Sequence, residues 1–340
     1  MDVKKNILSN AMTNKSNNLQ IIKFLAALLV IWSHAYALVG QDDLVCLISR
    51  GKQTGGMLAV AVFFFTGGLL IAKSAEKSHN AMAYFKKRCI RIFPLLMIVV
   101  VCCTFVLGPI MTSLSIKEYF TNPGTYRYLL NGILVLQHNL PGVFEANPVF
   151  ATVNGSLWTL PVEFLCYIAC WILYKLGFFE KKRIPFIFAF YLLLSISGYA
   201  ITNKMPTFAL LFSVVQPCYM FLLGICVYVF RDRIILDKRI FAFTVICFCA
   251  CMFLGVGTLA VWTFYPYICL FLAYMPKQVH RAISKVGNYS YGIYLCAYPI
   301  QQTILCVSNG KISIIAHVCI AIVLAVACGW GLSKIESKCI

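Results

Sequence analysis

Two ionisable side chains, Lys23 and His34, interrupt an otherwise apolar run near the start of the chain, LQIIKFLAALLVIWSHAYALVG, Leu19 to Gly40. Eleven positions at about 100° each end some 20° beyond three full turns, so a helix puts both on one face, about 16 Å apart along its axis. A titratable group at that depth in hydrocarbon costs several kcal/mol and ordinarily faces a bundle interior, a pathway or a reaction. An imidazole takes a proton from a hydroxyl near neutral pH, which makes His34 a candidate general base. The alternative is an imidazole hydrogen-bonded to a neighbouring helix with no chemistry.

Four further groups of residues carry chemistry. In YFKKRCIRIFP, Tyr84 to Pro94, Arg88 and Arg91 are three apart and share a helix face beside Lys86 and Lys87. Such a fork suits phosphate groups, and the alternative is a basic cluster meeting anionic lipid. Glu163 stands at the edge of an apolar span in NGSLWTLPVEFLCYIACW. VFFFTGGLLI, Val62 to Ile71, carries Gly67-Gly68, where a helix or a ligand can approach the backbone closely. GNYSYGIYLCAYPIQQ, Gly287 to Gln302, puts Ser290, Tyr291 and Tyr294 at one end of a span, where tyrosines also serve as interface anchors.

The elements that must position these residues are membrane helices. Of 340 residues, 61% are hydrophobic and only 12% charged, and the mean hydropathy is +0.83. Apolar runs long enough to cross about 30 Å of hydrocarbon recur along the whole length. The reading is all-α, a polytopic bundle of about ten spans at 20–40, 56–72, 92–112, 157–175, 184–202, 207–229, 240–257, 259–275, 288–306 and 312–332. With the N-terminus cytoplasmic, only Arg50, Lys52, Lys117, Arg127, Lys204 and Lys311 of the 29 basic residues fall outside. The positive-inside rule therefore predicts both termini in the cytoplasm. The net charge of +18 is topological on this reading, and nucleic acid is not an expected partner.

No internal repeat or low-complexity linker divides the chain, so residues 19–333 read as one membrane domain between cytoplasmic tails at 1–18 and 334–340. The longest polar interval, about 113–156, is expected outside the membrane or partly re-entrant, because its apolar piece, Tyr128 to Gln137, is too short to span. His138 in it reads as an interfacial side chain. Most of the seventeen cysteines lie inside apolar spans and no C-x-x-C pair occurs; they read as small buried hydrophobes, with neither disulfides nor a metal site expected. The CFCAC cluster, Cys247 to Cys251, points in several directions on a helix. Ala35–Ala37, AYA, mimics a signal-peptidase site, but the apolar run is long for a signal sequence, and a retained first helix is expected.

Taken together the segments resemble the acyltransferase 3 family of integral membrane acyltransferases, and most closely its sugar O-acetyltransferases, in order from about Asn18 to Gln302. KFLAALLVIWSHAYALVG is similar to the family's first helix, in which an Arg precedes a His by eleven positions; Lys23 and His34 take those places. AVFFFTGGLLI resembles its Phe-Phe then Ser-Gly-Phe segment, FKKRCIRIFP its paired arginines, NGSLWTLPVEFLCY its Trp and Glu motif, and NYSYGIYLCAYPIQQ its Ser-Tyr-Gly-Ile-Tyr segment. Departures are Lys23 for Arg, Gln20 for an acid, Gly67 for Ser, Ala61 for Asp and Ala297 for His.

The resemblance implies transfer of an acetyl group from cytoplasmic acetyl-CoA to a hydroxyl of a lipid-linked or surface glycan in a bacterial inner membrane, with glycan-assembly proteins as partners. It places His34, Lys23 and Glu163 in catalysis, and Lys86, Lys87, Arg88, Arg91 and Tyr291 at the coenzyme. Two other classes stay open from the residues: a carrier or flippase-like transporter using His34 and Glu163 as proton or substrate sites, and a family member that has lost catalysis and serves as a scaffold.

Overall fold

The computed structural model describes residues 7–13, 17–149, 151–204, 209–275 and 289–339. Lys4, Lys5 and Lys15 of the N-terminal stretch, the loop with Lys277, Arg281 and Lys285, and the opening Gly287-Asn288 of the late motif lie outside the described residues. Among the described residues the chain is all-helical, with no strand and two isolated β-bridges.

Each of the ten apolar stretches falls on helix: α1 Leu19–Ala37, α2 Gly55–Lys77, α3 Ala81–Cys102, α4 Thr159–Lys175, α5 Ile184–Lys204, α6 Ala209–Val229, α7 Lys238–Phe253, the consecutive α8 Gly257–Thr263 and α9 Tyr265–Tyr274, α10 Ser290–Val307 and α11 Ile314–Cys339. Among the described residues five helical stretches are long and apolar enough to cross a membrane: α1, α2, α3 extended to Met111, α4 with the turn before it, and α11 to Ile335. A sixth is added if α8 and α9, bent by 44°, form one span.

Side-chain oxygens fix several of the starts. Thr54, Asn80 and Asp237 accept from the backbone N–H of Met57, Ala83 and Arg239 at the heads of α2, α3 and α7. The stretch read as an N-terminal tail carries a short helix, Leu8–Thr13, whose fully buried Leu8 donates its N–H to the carbonyl of Ile234.

α2 is the central helix, with 67% of its apolar window buried against 22% for α11 at the periphery. Glycine is what lets α6 pack so closely on it. A Cβ on Gly68 would lie 2.0 Å from the carbonyl oxygen of Phe221, and one on Gly224 would lie 2.2 Å from that of Phe65. Small residues at such a crossing let two backbones touch where no hydrophobic force drives helices together in lipid. Gly67, the neighbour, faces elsewhere and has only ordinary contact with the Phe221 ring.

α3 continues past Cys102 through a π-helical turn, Cys103–Leu107, and a final turn, Gly108–Met111. The Gly108 N–H reaches back to the carbonyl of Cys103, and Pro109, next in line, has no N–H for the carbonyl of Thr104. The buried Tyr119 hydroxyl donates to that carbonyl at 2.8 Å, filling the gap. Tyr119 belongs to the interval 113–156, which forms a cap of short helices, Ile116–Thr121 and Pro123–Arg127, and a 3-10 turn, Tyr128–Ile133.

From Asn147 the interval turns inward and runs along α10. Asn147 donates to the Gln302 side chain at 2.8 Å, Gln302 donates to the Thr152 carbonyl at 2.8 Å, and Asn154 donates to the Leu295 carbonyl at 2.8 Å. This limb ends in the 3-10 turn Gly155–Trp158 that leads into α4.

Two expectations follow for thermal unfolding in detergent. Tyr119→Phe leaves the Thr104 carbonyl without a donor and costs about 1–2 kcal/mol; a melting temperature equal to wild type would remove this capping argument. Gly68→Val forces α2 and α6 apart and destabilises more than Tyr119→Phe, because backbone rather than a flexible side chain must move.

Candidate active site

Two cavities lie one after the other along α1. The first, of about 90 Å³, is lined by Lys23, Arg88, Arg91, Glu163 and Tyr291 together with Gly67. The second, of about 340 Å³, is lined by His34 with Ser33, Asp42, Asp43, Trp158 and Gln216. Val60 and Tyr294 line both. The spacing of Lys23 and His34 thus places them as one helix face allows, each at the wall of its own cavity.

The inner cleft gathers three cations against one carboxylate. Lys23 is 8% exposed. Arg88, on α3, donates from Nη2 to Ser74 Oγ at 3.2 Å and lies over the rings of Tyr84 and Tyr167 at 5.9 and 6.0 Å, leaving its buried Nε without a partner. Tyr84 is held in turn by its hydroxyl on the Tyr167 carbonyl at 3.0 Å and by stacking on Trp171. Arg91, one turn along, is exposed at the rim. The Tyr167 hydroxyl donates to Glu163 Oε1.

Among the described residues none of Lys23, Arg88 and Arg91 forms an ion pair within 4 Å. Net positive charge enclosed at a cleft in this way attracts anions. Tyr291 closes one side, its hydroxyl on the Ile92 carbonyl at 3.0 Å. Lys86 and Lys87 are exposed on α3 and do not line the cleft.

In the outer cavity the His34 ring meets Tyr298 edge-on at 5.2 Å, and its Nδ1 has no partner. Asp43, beside it, is fully engaged. Ser33 Oγ donates to it at 2.5 Å, Gly55 N at 2.9 Å and Cys46 N at 2.8 Å. It ties the outer end of α1 to the head of α2 and caps the short helix Leu44–Ile48. Asp42 is exposed at the mouth and accepts from Cys46 Sγ.

Tyr294 stands between the cavities. Its hydroxyl donates to the Ser156 carbonyl at 2.7 Å and lies 2.7 Å from Thr159 Oγ1, so the inward limb and the head of α4 hold it.

Glu163 shares the cleft of Lys23, while His34 has the outer cavity. Of the departures from the family pattern, Gly67 faces the inner cleft and Ala61 the outer cavity, whereas Ala297 packs with Ala27 and Ile31 away from both. Gln216 and Asp43 have no place in the sequence reading, whereas Trp158 is the Trp of its Trp and Glu motif. Trp158 sits inside the quoted NGSLWTLPVEF segment, and Gln216 is an amide within an apolar run, the one signal that pointed to it. No group of three or more metal-ligating side chains occurs among the described residues.

The sequence matches the acyltransferase domain family over residues 16–334. An O-acetyl transferase of Shigella phage Sf6 is 29% identical over 301 residues, covering 86% of each chain. Nodulation protein 10 of Rhizobium leguminosarum bv. viciae is 28% identical across 45% of this chain and 42% of its own. Acyltransferase MdmB of Streptomyces mycarofaciens is 29% identical across 48% and 39%. No solved structure matches. Helices of membrane-spanning length and a family match across nearly the whole sequence lead to one conclusion: the chain belongs to the acyltransferase 3 family and is a multi-pass membrane O-acyltransferase.

Proposed function

We propose that the protein transfers an acetyl group from cytoplasmic acetyl-CoA to a hydroxyl of a lipid-linked or surface sugar, drawing the donor into the inner cleft and the acceptor into the outer cavity. The observation that carries this reading is the order of groups along α1: a cleft with three cations and one carboxylate, then a cavity with an imidazole, and Tyr294 in the wall of both. The name of the phage relative favours acetyl as the group transferred.

Guanidinium groups bind phosphate oxygens bidentately, so Arg88 and Arg91 hold the phosphates of the donor at the mouth, with Tyr291 beside them. Lys86 and Lys87, outside the cleft, strengthen the field that draws a polyanion to it. Lys23 offsets negative charge developing on the donor, and Glu163, fixed by Tyr167, lines the same cleft and balances part of its positive charge. His34 takes the proton of the sugar hydroxyl as that oxygen attacks the thioester carbonyl. The carbon–sulfur bond then breaks, and the proton passes to the departing thiolate.

On this reading residues 19–333 form the transfer domain, a bundle of ten crossings in the inner membrane of a bacterial cell, with both termini and the arginine mouth in the cytoplasm. Glycan-assembly proteins present the acceptor on the far side.

His34→Ala, at matched membrane levels, reduces acetylation of surface glycans at least about a hundredfold by mass spectrometry, the scale of a lost general base. Unchanged acetylation would sink the mechanism. Arg88→Ala and Arg91→Ala each raise the donor KM about tenfold or more, the scale of a lost charge-assisted hydrogen bond, and leave the acceptor KM alone. Lys86→Ala with Lys87→Ala lowers the rate only a few-fold, and less at high salt, as expected of screened exposed charge.

A further inference from the structure

The outer cavity differs from the inner cleft in the sign of its charge. Its lining contains two carboxylates, Asp42 and Asp43, and no lysine or arginine. Asp43 holds its charge in place with three donors, and Asp42 stands at the mouth. Any anion entering would meet both with no cation to offset them.

Two side chains in the same wall make no hydrogen bond among the described residues. Gln216, on α6, is 6% exposed and makes no hydrogen bond among the described residues, although a buried amide ordinarily has one. Trp158, at the end of the inward limb, is half-buried and has neither a ring partner nor a hydrogen bond among the described residues. An indole free to present an apolar face and a donor edge, an unsatisfied amide and an imidazole around about 340 Å³ suit a ring that has C–H faces and several hydroxyls.

Resting on the transfer reading above, we infer that the outer cavity selects an uncharged sugar ring, with Trp158 packing on its C–H face and Gln216 holding one hydroxyl so that another meets His34, and that it rejects sugars bearing a carboxylate. Trp158 and Gln216 are then specificity-determining residues of the acceptor site. A carboxylated sugar fits the cavity in size but sets its charge against Asp42 and Asp43.

Binding and transfer are measured separately on the full chain in lipid nanodiscs. Saturation-transfer NMR compares methyl glycosides of glucose, galactose and rhamnose with methyl glucuronide. At least one neutral glycoside is expected to bind about tenfold better than the glucuronide, and Trp158→Ala and Gln216→Ala each to weaken it about tenfold. Trp158→Phe, which keeps an apolar face and tests for misfolding, recovers most of the binding, and Arg88→Ala leaves it unchanged.

Equal or tighter binding of the glucuronide, no binding of any neutral glycoside, or neutral binding indifferent to both Trp158→Ala and Gln216→Ala would each overturn the inference. Coenzyme A release from acetyl-CoA, supported by wild type and lost in His34→Ala, is followed in parallel. If that release occurs and the glycoside pattern fails, the acceptor assignment falls alone. If release never occurs while neutral glycosides bind through Trp158, the transfer reading falls and the cavity assignment stands.

Discussion

The core of a bilayer has no water to solvate an ammonium, a guanidinium or a carboxylate, and the arrangement of helices around Lys23 follows from that constraint. Lys23 is buried on α1, and the surrounding helices supply what water would have: Glu163 from α4, the Tyr84 and Tyr167 rings under Arg88, and Ser74 from α2. Such enclosure requires helices to approach closely, and Gly68 against Gly224 is where α2 and α6 do so. Gly292 against Gly329 does the same for α10 and α11. Backbone contact at these crossings and a charged cleft beside them are two sides of one packing problem.

The outer end of the bundle is organised by hydrogen bonds instead of glycine. One carboxylate, Asp43, accepts from Ser33, Cys46 and Gly55, so the residue before His34 is locked to the head of α2. An ionised acceptor gives stronger hydrogen bonds than a neutral one, and a buried one is costly unless its oxygens are fully engaged. On the opposite wall the limb from Asn147 to Ser156 is stitched to α10 by amide side chains. The imidazole therefore sits between two rigid boundaries, although its neighbours one turn along its own helix, Val30, Ile31 and Ala37, are apolar. Rigid support of this kind is what a positioned base requires.

Helix positions were legible in the sequence because each apolar run is long and bounded by caps or charge. Lys23 and Glu163, read as catalytic, and Arg88, Arg91 and Tyr291, read as coenzyme residues, were legible in two separate sets, and they line one cleft. What the sequence did not reveal was distance between elements. The resemblance groups Glu163 with both His34 and Lys23, and α4, which begins deep in the bundle after the inward limb, puts it level with Lys23. Lys86 and Lys87 adjoin Arg88 in sequence but are carried outward by the 100° step of the helix. Gln216 and Asp43 escaped notice because a residue facing a cavity and one facing a helix look alike until the neighbours are placed.

The division into two cavities has a physical consequence for a protein that must keep its membrane sealed. A continuous polar passage along α1 would let ions cross, and it would let the carboxylates of one end neutralise the cations of the other. The wall of Val60 and Tyr294 narrows it, with Phe63 packed edge-on against the Tyr294 ring at 5.9 Å. Tyr294 suits this position because its ring narrows the path between the cavities while its hydroxyl is satisfied by the Ser156 carbonyl and Thr159, so the constriction leaves no buried donor unpaired. Separation also keeps Lys23, Arg88 and Arg91 unneutralised, and therefore attractive to an anion, while the imidazole 16 Å or so away along the same helix remains among neutral and acidic groups. One helix face thus serves two chemistries of opposite charge, and the residue that divides them comes from α10.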